Sequence, residues 1–249
     1  VSGHSKWANI KHRKAAQDAK RGNLFQKLVR AIIVAAKEGG GDPGMNVRLK
    51  TAIDRAKAAS VPNENITRAI KRGTGEIEGA MYEEITYEGY GSNGVALMIE
   101  ALTDNRNRTA ADMRAILTRG GGALGESGCV AWMFERKGVI EVKGENIDEE
   151  TIMLACLDAG AEDFEATDEG YTIFTTPSAL TDVQKALEDA GYAVERAEAE
   201  MIPNNTVAIE TIEQAQKILR LLETLEDHDD IQNVYANFDI PDEIMAQVE

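Results

Sequence analysis

Near Met81 the hydrophobic pattern of this chain changes its period, and its charge changes sign at almost the same place. Before that point apolar residues recur every three to four positions, which suits helices. After it Ile85, Tyr87 and Gly89 alternate with Glu84, Thr86 and Glu88, which suits a half-buried strand with Glu84, Thr86 and Glu88 on its solvent side. A chain with both patterns in separate blocks folds as a helical unit followed by α+β units, not as one uniform layer. The charge supports the same cut. Residues 1–75 hold 16 basic and 5 acidic side chains, a net of +11, whereas the rest hold 11 basic and 38 acidic, a net of −27. A basic head on an acidic body is the asymmetry of a chain that meets a polyanion at one end only.

Within the first block, residues 1–22 are polar and rich in lysine and arginine, with Trp7 and Ile10 as the large apolar side chains. Three helices are expected next. Asn23 is a candidate N-cap for Leu24–Glu38, whose stripe is Leu28, Ile32 and Ala35 or Ala36. A second helix spans about Asn46–Ala59 with Leu49, Ala52, Ile53 and Ala56 on one face. A third opens at Pro62 and Asn63, carries Ile66, Ala69 and Ile70, and closes at Gly73.

In the second block Ile85–Gly89 and Val95–Ile99 read as strands around the turn Gly91-Ser92-Asn93-Gly94. A helix from about Arg108 to Arg119 and a strand at Val130–Phe134 follow. Residues 138–200 then read strand, helix, strand, strand, helix, strand. Both helices end in one phrase, Asp158-Ala159-Gly160 and Asp189-Ala190-Gly191, as two halves of a repeat would. That order is βαββαβ, the ferredoxin-like arrangement. Beyond Pro203 comes a further βαβ: Thr206–Ile209, a helix over Thr211–Glu226 whose start Thr211-Ile212-Glu213-Gln214 fits a capping box, and Ile231–Asn237. Alone it cannot bury both faces, and the βαβ at 94–134 lacks a partner half. The expected class is α+β and multidomain. Residues 1–22 form a basic segment, 23–77 a three-helix domain, 78–135 with 203–249 a discontinuous ferredoxin-like domain, and 136–202 a second one inserted into it.

The longest strongly apolar runs, Ala31–Ala36 and Val95–Ile99, fall far short of the about 20 residues that span a bilayer, and Val1–Trp7 lacks the apolar stretch of a signal peptide. Two cysteines are too few for a disulfide framework, and Cys129 and Cys156 fall where small buried residues belong. A cytoplasmic protein with reduced thiols and no membrane contact is the expectation. His4 and His12 lack companions at metal-ligand spacing. Gly120-Gly121-Gly122-Ala123-Leu124-Gly125 leads into a strand with no Gly-Lys-Ser/Thr, which excludes a P-loop. Gly125-Glu126-Ser127-Gly128-Cys129 is not a nucleophile elbow, and Glu226-Asp227-His228-Asp229-Asp230 lacks the glycine and terminal glutamate of a calcium loop and reads as a solvated turn. No catalytic residue, metal or cofactor is expected.

Several stretches resemble the YebC family: Gly3-His4-Ser5-Lys6-Trp7-Ala8-Asn9-Ile10-Lys11-His12-Arg13-Lys14, Asp18-Ala19-Lys20-Arg21-Gly22, Tyr87-Glu88-Gly89-Tyr90, Thr103-Asp104-Asn105-Arg106-Asn107-Arg108-Thr109, Gly121–Phe134 and Asp230-Ile231-Gln232-Asn233-Val234-Tyr235. Ala123 stands where that family usually has Asn. The resemblance implies a helical N-terminal domain with two α+β domains. It also implies a regulator of gene expression, classed as a DNA-binding transcriptional regulator. Members have equally been assigned to the ribosome, where they assist peptide-bond formation on proline-rich stretches, and the mitochondrial relative is a translational activator.

The residues expected to contact nucleic acid, DNA or ribosomal RNA, are Lys6, Trp7, Lys11, His12, Arg13, Lys14, Lys20, Arg21, Lys27 and Arg30. Lysine and arginine there would displace counterions from phosphates. The alternative is that the head pairs with its own acidic body, leaving an adaptor that binds only protein. The loop residues Asn105, Arg106, Asn107 and Arg108 precede a helix N-terminus and form a candidate anion or partner site. The opposing reading is capping by Asn107 or Thr109, with the arginines paired to nearby glutamates. The acidic α+β domains lack the aromatic strand signature of RNA-binding sheets and are offered to ribosomal or transcription proteins instead.

Overall fold

The computed structural model describes residues 21–248. Its first unit is three helices, α1 (Arg21–Gly39), α2 (Val47–Ala58) and α3 (Asn63–Thr74). Their apolar stripes meet in one core of Ile32, Ile33, Ala35 and Ala36 from α1, Leu49, Ala52, Ile53 and Ala56 from α2, Val61, and Ile66 and Ala69 from α3. Close approach of α3 to α1 depends on Gly73. A Cβ there would sit 2.4 Å from the Ile33 carbonyl oxygen and 2.7 Å from Ala36 Cβ. Gly73 is therefore inside α3, and the residue that ends the helix is Gly75, whose left-handed conformation (φ 85°) turns its N–H back to the Arg72 carbonyl. Asn23 likewise lies within α1 and does not cap it. Asn46 joins the first two helices. Its Oδ1 accepts from Leu49 N–H at the start of α2, while its Nδ2 donates to the carbonyls of Ala35 and Gly40 at the end of α1.

The second unit begins with β1 (Glu83–Tyr90), β2 (Ala96–Thr103), α4 (Arg106–Arg119) and the two-residue β3 (Ala123–Leu124). The chain then leaves for β4 (Phe134–Lys143), α5 (Glu149–Asp158), β5 (Ala161–Thr167), β6 (Gly170–Thr175), α6 (Leu180–Asp189) and β7 (Ala193–Pro203). It returns as β8 (Val207–Ala208), α7 (Ile212–Asp227), β9 (Ile231–Ala236), β10 (Phe238–Asp239) and α8 (Asp242–Val248). The excursion is a four-stranded antiparallel sheet in the order β5-β6-β4-β7, with the two internal strands β4 and β6 paired as the ferredoxin-like arrangement requires. Its core of Ile140, Val142, Ile152, Cys156, Ile173, Val183 and Leu187 is its own.

The enclosing sheet runs β3-β1-β2-β9, antiparallel throughout, so strands from both sides of the insertion share it. Its strand membership differs from the two βαβ halves expected. The hairpin strands β1 and β2 fill its centre, and Val130–Phe134 contributes nothing to it. Ala131–Met133 is a 3-10 turn and Phe134 already begins β4. The reason is Glu88: its carboxylate accepts the N–H groups of Gly128 (2.6 Å), Val130 (3.1 Å) and Ala131 (2.6 Å), so those donors never reach a strand ladder. Glu88, expected on the solvent side of β1, is buried. Of Thr206–Ile209, only Val207 and Ala208 pair, in parallel with Phe238 and Asp239.

Helices α4 and α7 cover one face of this sheet, with Met113, Ile116 and Leu117 of α4 and Ile218, Leu221, Leu222 and Leu225 of α7 packed on Leu97, Ile99 and Ala101. On the other face Ala96, Met98 and Tyr235 meet Val130 and Phe134. β2 is consequently buried on both sides, which explains its nearly unbroken apolar run. Of the capping box expected at α7 one half is present, Thr211 Oγ1 accepting from Gln214 N–H, while Gln214 Oε1 accepts from the N–H of Glu210, one residue before the cap. Both cysteine thiols have their pKa pushed up, chiefly by burial.

Candidate nucleic-acid interface

Of the residues expected to touch nucleic acid, Lys6, Trp7, Lys11, His12, Arg13, Lys14 and Lys20 lie outside the described residues, and Arg21 is the first residue of α1. Lys27 and Arg30 sit one helical turn apart on α1, and both are engaged with the acidic body. Lys27 Nζ donates to the Glu226 carbonyl. Arg30 donates to the Leu102 carbonyl (3.1 Å) and to the Asp230 carboxylate (2.6 Å), and its guanidinium lies 4.7 Å from the centre of the Tyr82 ring. Asn23, on the same face one turn earlier, donates to the Asp227 carbonyl, and Gln232 returns a bond to the Lys27 carbonyl. α1 is thus seated on the turn between α7 and β9. For these two cations the pairing of head with body is what the structure has.

The turn 226–230 is therefore not merely solvated. Asp230 is 2% exposed. Besides Arg30, its carboxylate accepts from Arg108 (3.0 Å) and from Thr109 Oγ1 (2.8 Å). Burial alone would raise its pKa, but the hydrogen bonds from Arg30, Thr109 and Arg108 outweigh that and hold it below the ordinary carboxylate value. Its backbone is held as well: the carbonyl accepts from Leu102 N–H, and its N–H donates to His228 Nδ1. Because Nδ1 accepts, the His228 proton is on Nε2, which faces Asp112 Oδ2 at 2.9 Å.

The loop expected to hold an anion is the third wall of this junction. Asn105, not Asn107, caps α4 by accepting from Arg108 N–H. Arg106 faces Glu83 at 3.7 Å, and Arg108 is shared between Asp104 and Asp230. Asn107 is exposed. The arginines that would attract an external anion already have internal ones. The exposed cations of the helical domain lie elsewhere: Lys37, Lys50, Lys57 and Lys71 have no carboxylate partner among the described residues. Arg48 bridges Glu38 and Glu84, and Arg55 holds Glu198 of β7.

Two family models match these units. One, described as the TACO1/YebC protein N-terminal domain, covers residues 5–76, and the other, described as the TACO1/YebC second and third domain, covers residues 82–238. The chain belongs to the TACO1/YebC family. A protein of Pelotomaculum thermopropionicum named "probable transcriptional regulatory protein" is 59% identical over 244 residues, covering 97% of this chain and all of that one. One of the same name from Natranaerobius thermophilus is 57% identical over 248 residues, covering 98% and 99%. The crystal structure of a conserved hypothetical protein from Aquifex aeolicus superposes with a TM-score of 0.82 at 50% identity, covering 92% of this chain and 94% of that one.

Sequence reasoning missed Asp230, Thr109 and Glu88 as organising groups. Asp230 ended what looked like one acidic run, and only its position immediately before the buried strand Ile231–Ala236 distinguished it. Glu88 followed an alternating pattern that placed it outside. Among the described residues no group of three or more His, Cys, Asp or Glu is placed to hold a metal ion. None of their helices is long and apolar enough to cross a membrane.

Proposed function

We propose that this TACO1/YebC-family chain is a non-enzymatic cytoplasmic regulator of gene expression that binds nucleic acid through its basic N-terminal residues and the helical domain behind them. One observation carries the reading: the +11 head precedes a −27 body, and the helical domain is fixed to that body through only part of its charge. Lys27 and Arg30 anchor it, while Lys37, Lys50, Lys57 and Lys71 remain exposed. Lys6, Lys11, Arg13, Lys14, Lys20 and Arg21 supply phosphate contacts, with Trp7 and His12 beside them, and the net negative charge of the domains behind them favours first contact at the head. No cofactor takes part. The names of the relatives support transcription as the process, and with it DNA as the target.

Crosslinking in cells followed by sequencing of the bound nucleic acid tests this. Enrichment of upstream DNA is expected, whereas recovery of one ribosomal RNA site moves the function to translation. If deleting residues 1–22 leaves nucleic-acid binding unchanged, the head is not the contact.

A further inference from the structure

The acidic body contains one basic place. Among the described residues after Gly75, seven basic side chains lie within 4 Å of a carboxylate: Arg106, Arg108, Arg136, Lys137, Lys143, Lys185 and Arg196. The four that do not, Arg114, Arg119, Lys217 and Arg220, all stand on α4 and α7. Three of these, Arg119, Lys217 and Arg220, line a single cavity of about 540 Å³ between the two helices. Its floor is Ile116, Gly120 and Leu221, and Gln216, Thr224 and Glu213 complete the wall.

The sequence builds this groove from two helix surfaces. On α7 Glu213, Gln216, Lys217, Arg220 and Thr224 follow helical spacing along one stripe, opposite the buried Ala215, Ile218, Leu222 and Leu225. On the other wall α4 ends at Arg119, whose Nε donates to the Ala115 carbonyl, and the chain turns through Gly120 and Gly121. The glycines matter because the space beside them is in use. A Cβ on Gly120 would meet Leu221 at 2.7 Å, and one on Gly121, at φ 81°, would meet Lys217 Nζ at 2.6 Å. Three like charges gathered with no carboxylate within 4 Å, in a body with 38 acidic side chains available, repel one another until an anion arrives.

We infer that this groove binds a phosphodiester backbone, as a second nucleic-acid contact separate from the head. Arginine, lysine, glutamine and threonine are the side chains that hold phosphate and sugar, and two guanidiniums offer paired donors to phosphate oxygens. The lining has no aromatic residue, so bases are not stacked and sequence is not read there. It also lacks the aromatic anchors around which protein interfaces gather. The identity of the occupant rests on the proposed nucleic-acid function; the basic groove does not.

The test uses the full chain, with short fluorescent single-stranded RNA and DNA and anisotropy read across a salt series. Arg119→Gln/Lys217→Gln/Arg220→Gln, all at exposed positions, should retain the wild-type melting temperature. It should bind several-fold more weakly, with a log K against log salt slope shallower by about 2, since each lost phosphate contact removes about 0.7 on single strands. Glu213→Gln should bind more tightly, and the oligonucleotide with the larger loss names the source of the backbone. A triple variant that keeps the wild-type slope overturns the groove. If Lys11→Gln/Arg13→Gln/Lys14→Gln alone abolishes that binding, the head reading survives without the groove. A loss in the groove variant alone leaves the groove standing without the head. If poly-glutamate binds the groove and neither oligonucleotide does, the ligand is an acidic protein and the inference is wrong.

Discussion

Asp230 holds three parts of the chain at one carboxylate: Arg30 from the helical domain, Arg108 and Thr109 from the start of α4, and its own turn before β9. Replacing it with asparagine keeps the shape and removes the charge, leaving Arg30, 15% exposed, beside a neutral group. Arg108 is half exposed and can turn to Asp104, so the cost falls below that of a fully buried pair. Asp230→Asn should lower unfolding stability by about 2–4 kcal/mol in urea titrations at neutral pH. The pH dependence has a definite sign. The folded carboxyl titrates below its unfolded value of about 3.9, so its contribution is complete above that value and disappears as pH falls through the folded one. Stability of the wild type should drop steeply below about pH 4, and the Asp230→Asn variant should lose this part of the slope, so that the two curves converge in acid. Equal losses at pH 7 and in strong acid would show that the clasp is not electrostatic.

Among the elements, the crossing of α1 and α3 is sharply specified. Gly73→Ala places a methyl 2.4 Å from the Ile33 carbonyl oxygen, and the obstacle is backbone, which cannot rotate away. The two helices must separate, at a cost of about 1–3 kcal/mol, which a lowered melting temperature would register. Asn46→Ala should cost about 2 kcal/mol because it uncaps α2 and strips a donor from two carbonyls at the end of α1. These elements also mark where sequence reasoning worked. The three helices, the βαββαβ order and the Thr211 cap of α7 follow from apolar spacing and local side-chain chemistry, which the chain carries residue by residue. Contacts between units do not have that property. The seating of α1 on residues 226–230 depends on Lys27, Arg30 and Asp230 being far apart in sequence and adjacent in space, and no periodicity encodes that. The same holds for Val130–Phe134, whose composition is that of a strand but whose first two amides are claimed by Glu88, 42 residues before Val130.

At the scale of the whole molecule the decisive geometry is at the root of the insertion. Phe134 and Pro203 are paired across β4 and β7, and just outside them Asn204 N–H donates to the Met133 carbonyl at 2.8 Å. The chain therefore leaves and re-enters the enclosing domain at adjacent points, so removing the excursion does not force its ends to travel. The excised sheet keeps all four strands and its own apolar core, whereas removing residues 136–202 takes only Met201 from the cluster beneath β2. Ion pairs that cross to the insertion, Arg55 with Glu198 and Arg136 with Glu100, are partly exposed and contribute about 0–1 kcal/mol each. Residues 134–203 expressed alone should thus unfold cooperatively with dispersed amide resonances. The chain with residues 136–202 replaced by a short Gly-Ser turn should keep the helical domain clasped at Asp230 and keep its helical circular dichroism. Aggregation of the shortened chain would be a folding failure traceable to exposed Met98 and Tyr235, and a polar substitution at Met98 should relieve it. If the isolated insertion stays unfolded even though its core is complete, the two sheets fold as one cooperative unit and the insertion is not an independent domain.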